Sequence, residues 1–433
     1  MKNSKQSNVK QNKDMSFLSV KGIDISIVFI AIFLSIFCLV FVFSASAFET
    51  SEVKTYFNFI KLNDSLKLLM KTLAFIMAGI LSMFVIAIVN FKSLKTKAPF
   101  IYSIISNPLL YYIVSVSFFV FIEIMKHVGT DAGGEGDTVA TVGAGFIKKA
   151  NGAYRWINIP HTPISFQPSE VAKLLLIVCF AIVIFNAGMI LKHKRGMILY
   201  MFLAFIPAFS VFKFSSDLSS SIVVFGILYI MMFVAAPDFK NTLILTGFLA
   251  LIVALAFGGL VLFNHGKEEA DIKPYQAKRI LAWLYPEDYP ASADQTNQAL
   301  YAIGSGGLVG EGLGNSIQKI KKLPEAQNDM IFALICEELG LFGGILVILL
   351  YAVLIFRMYM IVLNTDNLFD RMIVVGVIAH IGLQVIINIC VVTRLFPNTG
   401  IPLPLISAGG SSIVGMYMEL GLVLNVGKSI ERK

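Results

Sequence analysis

Residues 23–47 read "IDISIVFIAIFLSIFCLVFVFSASA". After Asp24 the stretch carries no charge, and its polar side chains are small hydroxyls. A helix rises about 1.5 Å per residue, so some 20 apolar residues cross the ~30 Å hydrocarbon layer of a bilayer. The closing "SASA" at 44–47 imitates a signal-peptidase site, but a signal peptide carries an apolar run of only about 7–15 residues. The stretch is therefore expected to stay in the protein as a first transmembrane helix.

Similar stretches recur near 68–90, 103–124, 170–187, 197–214, 219–236, 241–263, 329–356, 371–395 and 405–426. The expected fold is thus an all-α polytopic membrane protein of about ten transmembrane helices. Composition agrees: of 433 residues, 57% are hydrophobic and 14% charged, against about a quarter charged in soluble domains. Mean hydropathy is +0.78. One membrane domain over 22–427 is expected, with a polar, basic, disordered tail at 1–21 and a short tail at 428–433.

The four cysteines (38, 179, 336, 390) lie in apolar stretches and read as small buried hydrophobes. The five histidines are scattered, without the spacing of a zinc or haem site. A net charge of +8 comes from lysines and arginines that flank helices, which suits anionic lipid and argues against nucleic acid.

Lys92, Lys95, Lys97, Lys192, Lys194, Arg195, Lys240, Arg357 and Arg371 lie in short connections. With the basic tails they place those connections, and both termini, in the cytoplasm. Two long loops, about 125–169 and 264–328, are then extracytoplasmic. The second contains "LYPEDYPASADQ" at 284–295, three carboxylates and two prolines in an otherwise apolar region.

Three further segments are unlike ordinary membrane-protein loops: "NGAYRWINIPHTPISFQPSEVAKLLLI" (151–177), "YAIGSGGLVGEGLGNSIQKIKKLPEAQNDMIFALICEELGLFG" (301–343) and "FPNTGIPLPLISAGGSSI" (396–413). In this order and spacing they resemble the SEDS family (shape, elongation, division and sporulation). "LPEAQNDMIF" and the polar N-terminal tail are more similar to its FtsW and SpoVE branch than to RodA.

The resemblance implies a peptidoglycan glycosyltransferase of the bacterial cytoplasmic membrane that polymerises lipid II onto a growing undecaprenyl-linked glycan. It implies a class B penicillin-binding protein as partner, other divisome or elongasome membrane proteins, and a divalent cation (Mg or Mn). No organic cofactor is expected, and no metal-ligand motif is visible beyond the acids. The family's catalytic base corresponds to Asp288, in "RILAWLYPEDYP". The family continues with a Gly-x-Gly-Tyr-like turn where this chain has "PASAD", which leaves Glu287 and Asp294 as competing acids.

The chemistry accommodates these residue types. A sugar hydroxyl attacking an anomeric carbon gains from a carboxylate that accepts its proton. The departing diphosphate calls for positive charge, for which Arg155, Lys278, Arg279 and Arg394 are candidates, with Lys319, Lys321 and Lys322 further along. Trp156 reads either as an interfacial anchor or as part of the site. Glu170 and Lys173, at i and i+3, line a cavity or form an ion pair within the bundle. Asp217 lies in "SSDLSSS", where the family has Pro-Asp-Leu-Gly. Glu337 and Glu338 serve either packing or the site.

"GEGLG" at 310–314 invites a phosphate-loop reading, but a nucleotide loop needs a strand before it and a helix after it on the cytoplasmic side, and this one is expected outside the cell. Its glycines are expected to allow close backbone packing and turns, with N–H groups available to a diphosphate. Two rival functions fit a polytopic chain: a transporter of lipid-linked precursor, or an inactive scaffold for the penicillin-binding protein.

Overall fold

The computed structural model describes residues 19–20, 23–47, 58–89, 103–126, 139–142, 147–150, 153–158, 165–188, 190–269, 271–272, 275–320, 323 and 326–431. Ten helices among them are long and apolar enough to span a membrane. They are α1 (Ile25–Ala47), α2 (Asn58–Ile88), α3 (Pro108–Lys126), α4 (Pro168–Ala187), α5 (Lys194–Ser215), α6 (Leu218–Ala235), α7 (Phe239–Asn264), α11 (Ile331–Asn364), α12 (Leu368–Val392) and α13 (Gly410–Glu431). Between α7 and α11 lie α8 (Tyr275–Leu284), α9 (Pro290–Gly306) and the short α10 (Ile317–Ile320).

Most of the expected tail at 1–21 lies outside the described residues. Ser19–Val20 (β1) pairs with Ile23–Asp24 (β2), and α13 continues through residue 431.

Local chemistry fixes the helix starts. Asp217 caps α6, Asp238 caps α7 and Asn367 caps α12, each accepting an amide hydrogen bond that the first turn cannot satisfy itself. Pro168 and Pro290 stand in the first turns of α4 and α9, where a missing N–H costs nothing.

The spans are unequally enclosed. α4 and α12 form the centre, with two thirds or nearly so of their apolar windows buried. α7 stands at the periphery, with only Thr242 and Asn264 buried. α13 lies closely along α2, where a β-carbon at Gly79 would come 2.5 Å from the Tyr417 ring. Small residues let membrane helices approach this way, since lipid supplies no hydrophobic drive between them.

The first long loop contains an antiparallel sheet in chain order, β3 (Val139–Val142), β4 (Ile147–Ala150), β5 (Ala153–Asn158) and β6 (Ser165–Phe166). The sequence reading had predicted no strands here. Ile147 and Ile157 bury one face.

α11 is interrupted. Gly340 has φ +69° and ψ −166°, which breaks the helical hydrogen-bond series. The glycine loop after α9 fills the gap: Glu311 and Gly312 donate N–H to the carbonyls of Glu337 (2.9 Å) and Glu338 (3.0 Å), and Leu341 donates to Gly307 O (2.9 Å). A β-carbon on Gly310 would lie 2.3 Å from Glu338 O, and one on Gly340 2.4 Å from Leu308 O. The glycines thus provide the close packing expected of them. The Glu311 and Gly312 amides, however, are spent on α11 rather than left for a phosphate.

Gly310→Ala should lower the thermal unfolding midpoint, because left-handed strain of about 1–3 kcal/mol adds to a backbone clash. Gly258→Ala, in α7 with nothing within 4 Å, should leave it unchanged or raise it slightly, by up to ~1 kcal/mol. Unfolding of the detergent-solubilised chain followed by circular dichroism compares the two.

Candidate functional site

One end of the bundle gathers the N-termini of α4, α6 and α13, the C-terminus of α12, and both long loops. Gln167 N donates to Ser411 Oγ (3.2 Å), Gln167 Nε2 to Asp217 Oδ2 (3.3 Å) and Ser219 Oγ to Thr399 O. The opposite end holds the short basic connections, where Arg357 pairs with Asp24 at 2.7 Å.

The segment "RLFPNTG" at 394–400 joins the loop end together. Arg394 and Gly400 adopt positive φ (57° and 70°), which turns the chain back across the bundle. Arg279 Nη1 donates to Asn398 O (3.2 Å), and Asn398 Nδ2 donates to Gln295 Oε1 (2.6 Å). Arg394 Nη1 donates to Asn297 Oδ1 (3.2 Å), and Trp283 Nε1 to Arg394 O (2.9 Å). A β-carbon on Gly400 would sit 3.6 Å from both Arg279 Nη1 and Asp329 Oδ2, so Arg279 and Asp329 flank that glycine. Asn388 Nδ2 fixes the same region from α12, bonding Asp329 O (2.7 Å) and Ile401 O (2.8 Å).

Asp288 sits in the turn between α8 and α9, whose backbone bond runs from Asp288 N to Tyr285 O (3.2 Å). A small core separate from the bundle carries that turn: Ile272, Ala277, Leu281, Ala282, Tyr289 and Ala293 are buried against Leu260 and Val261 of α7. The Phe257–Trp283 and His265–Tyr285 ring contacts seat it further. Asp288 is exposed, and its carboxylate accepts no hydrogen bond from the described residues. Glu287 is exposed as well, whereas Asp294 is engaged by Gln298 Nε2 (3.2 Å). All three competing acids are exposed, so each is accessible to a substrate hydroxyl.

The other expected site residues fall into separate groups. Arg155 on β5 lies 3.8 Å from Asp217, and its Nε is buried without a hydrogen-bond partner among the described residues. Asp217 also accepts from Ser220 Oγ (2.8 Å), so it caps α6 and anchors the sheet. Ser219, at the position of the family's glycine, instead binds the 394–400 segment through Thr399 O. Trp156 is half-buried, in register with Lys148 on β4. Lys278 is half-buried and forms no ion pair among the described residues. The side chains of Lys319, Lys321 and Lys322 lie outside the described residues.

Lys173 Nζ donates to Glu170 Oε1 at 2.7 Å, both groups buried. Glu337 accepts from Ile317 N (2.7 Å), Gln318 N (3.0 Å) and Ser316 Oγ, holding the start of α10. Ser44 Oγ donates to Glu338 Oε1 at 2.6 Å.

Sequence reasoning missed Gln295, Asn297, Asp329 and Asn398. Asp329 and Asn398 lie inside the motif segments, yet uncharged amides and a single acid look like loop polarity until their partners are seen. His380 and Glu419, ionisable residues in otherwise apolar spans, were also missed, although that rarity was itself a signal.

The arrangement matches a family model for cell cycle proteins, covering FtsW, RodA and SpoVE, over residues 138–432. The chain belongs to that family. It is 34% identical over 407 residues to stage V sporulation protein E of Bacillus subtilis, covering 94% of this chain and 97% of that one. It is 34% identical over 283 residues to a probable peptidoglycan glycosyltransferase FtsW of Halomonas elongata, covering 64% of this chain and 68% of that one. The fold is similar to a chain in a peptidoglycan synthase complex coordinating polymerization and crosslinking, with TM-score 0.67, 23% identity and 95% and 99% coverage. It is also similar to the rod shape determining protein RodA of Thermus thermophilus, with TM-score 0.55, 21% identity and 94% and 97% coverage.

Lys173→Met should destabilise by about 3–5 kcal/mol, since Glu170 becomes an unpaired buried charge. The double variant Glu170→Gln, Lys173→Met should recover most of that loss. Denaturation midpoints of the two variants and wild type test the pair.

Proposed function

We propose that this protein is a peptidoglycan glycosyltransferase that polymerises lipid II at the loop end of the bundle, with Asp288 as general base. The observation that carries the reading is an exposed carboxylate, without a hydrogen-bond partner among the described residues, on a turn whose preceding helix is bonded through Trp283 to Arg394, in a chain of the FtsW, RodA and SpoVE family.

Asp288 accepts the proton of the acceptor's GlcNAc 4-hydroxyl as its oxygen attacks the MurNAc anomeric carbon of the growing chain. One base and one leaving group give inversion. Arg279 and Arg394, held by Asn398 and Asn297, supply charge to the departing diphosphate. The undecaprenyl tails stay in the bilayer beside the bundle.

Basic residues at the opposite end support a cytoplasmic position for that end and an outer position for the loop end. A class B penicillin-binding protein would crosslink the product, a pairing supported by the likeness to a polymerising and crosslinking complex. Service in division, sporulation or elongation follows from the relatives' names.

The family resemblance also proposes a divalent cation. Among the described residues no three His, Cys, Asp or Glu converge to cage one. No residue role above depends on it.

A transporter needs charges along an open path. Glu170 with Lys173, and His380 with Glu419, are instead buried in two separate pairs, which favours the polymerase.

Polymerisation of purified lipid II, with and without the class B partner, decides the function. Wild type should yield glycan, and Asp288→Asn should be about 100-fold slower or worse. Polymer from both would transfer the base to Glu287 or Asp294. None from either, in an intact complex, would leave a scaffold.

A further inference from the structure

The enclosed charges of α4, α12 and α13 take no part in the transfer chemistry. His380 Nδ1 lies 2.9 and 2.8 Å from the two carboxylate oxygens of Glu419. Lys173, already bound to Glu170, is coupled electrostatically to both. All four residues are at most 3% exposed.

Charge counting constrains this cluster. Glu170 and Lys173 cancel, so an unprotonated His380–Glu419 pair leaves one negative charge in the bundle and a doubly protonated pair leaves one positive charge. Either is costly in an apolar interior. A single proton shared by the pair makes the cluster neutral, whether as imidazolium and carboxylate or as imidazole and carboxylic acid.

The same face of α12 continues toward the loop end. Residues 380, 384 and 388 are spaced at four, so they form one stripe about 12 Å long. Each carries a buried atom without a partner among the described residues: His380 Nε2, Gln384 Oε1 and Asn388 Oδ1. Bound water is the kind of partner that can satisfy three such atoms in line. The stripe ends at Asn388, whose amide is tied to Asp329 and Ile401 beneath the 394–400 segment.

We propose that His380 and Glu419 bind one exchangeable proton, which reaches them from the loop end through water held by Gln384 and Asn388. Hydronium at that end gives its proton to the pair and becomes water; the reverse transfer empties the site.

No other group competes at this position. α6 has no Asp, Glu, Lys, Arg or His. On α11, Glu337 and Glu338 bind Ser316 and Ser44, and Tyr351 donates to Pro404 O. Asp294 on α9 is exposed, as are Lys67 and Lys71 on α2. Apart from its terminal turns, α13 carries only Glu419.

pH-difference infrared spectroscopy of the full chain in lipid nanodiscs tests the site. Wild type should show a coupled histidine–carboxyl titration that disappears in Glu419→Gln and returns with a moved midpoint in Glu419→Asp. Gln384→Leu should keep the signal but slow its hydrogen–deuterium exchange severalfold. Coincident wild-type and Glu419→Gln spectra would overturn the site. Should Glu419→Gln not fold, an unmoved midpoint in Glu419→Asp would do the same. Unchanged exchange in Gln384→Leu would overturn the route.

Discussion

The backbone bonds between the broken turn of α11 and the glycine loop hold the architecture of the loop end together. A helix interrupted in an apolar setting frees carbonyls that lipid cannot solvate, so another stretch of backbone must supply the donors. The amides of Glu311 and Gly312 do so, at distances that exclude a β-carbon on Gly310 or Gly340. This docks the C-terminal end of α9 against α11. From there α9 presents Gln295 and Asn297 to the 394–400 segment.

That segment then organises the positive charge. Arginine offers planar, directional donors, and amide and carbonyl partners can fix its orientation. Asn398 O and Asn297 Oδ1 serve Arg279 and Arg394 in this way. By contrast, the Arg155–Asp217 and Glu170–Lys173 pairs bind charge to opposite charge and tie the sheet and the helices in place.

The acidic turn has a different mount. Its small core rests on α7, the least enclosed span, while Trp283 links it to Arg394 in the bundle. Asp288 thus stands between a peripheral helix and the central segment. Asp294, further along on α9, is exposed too and accepts from Gln298.

The ten spans were legible in the sequence because a bilayer imposes length and apolarity on each helix independently of its neighbours. The motif segments revealed the family for a related reason: long local strings of residues survive without knowledge of contacts. The small sheet at 139–166 was hidden, since its short strands lack a strong alternating pattern. The polar partners Asp329, Asn398, Gln295, His380 and Glu419 were hidden because a side chain's role depends on what faces it across tens or hundreds of residues. The sequence by itself determined the helices and the candidate acids. Only the tertiary structure decided which charges are paired, which are oriented and which carboxylates stay free, because those states depend on distances between separate helices.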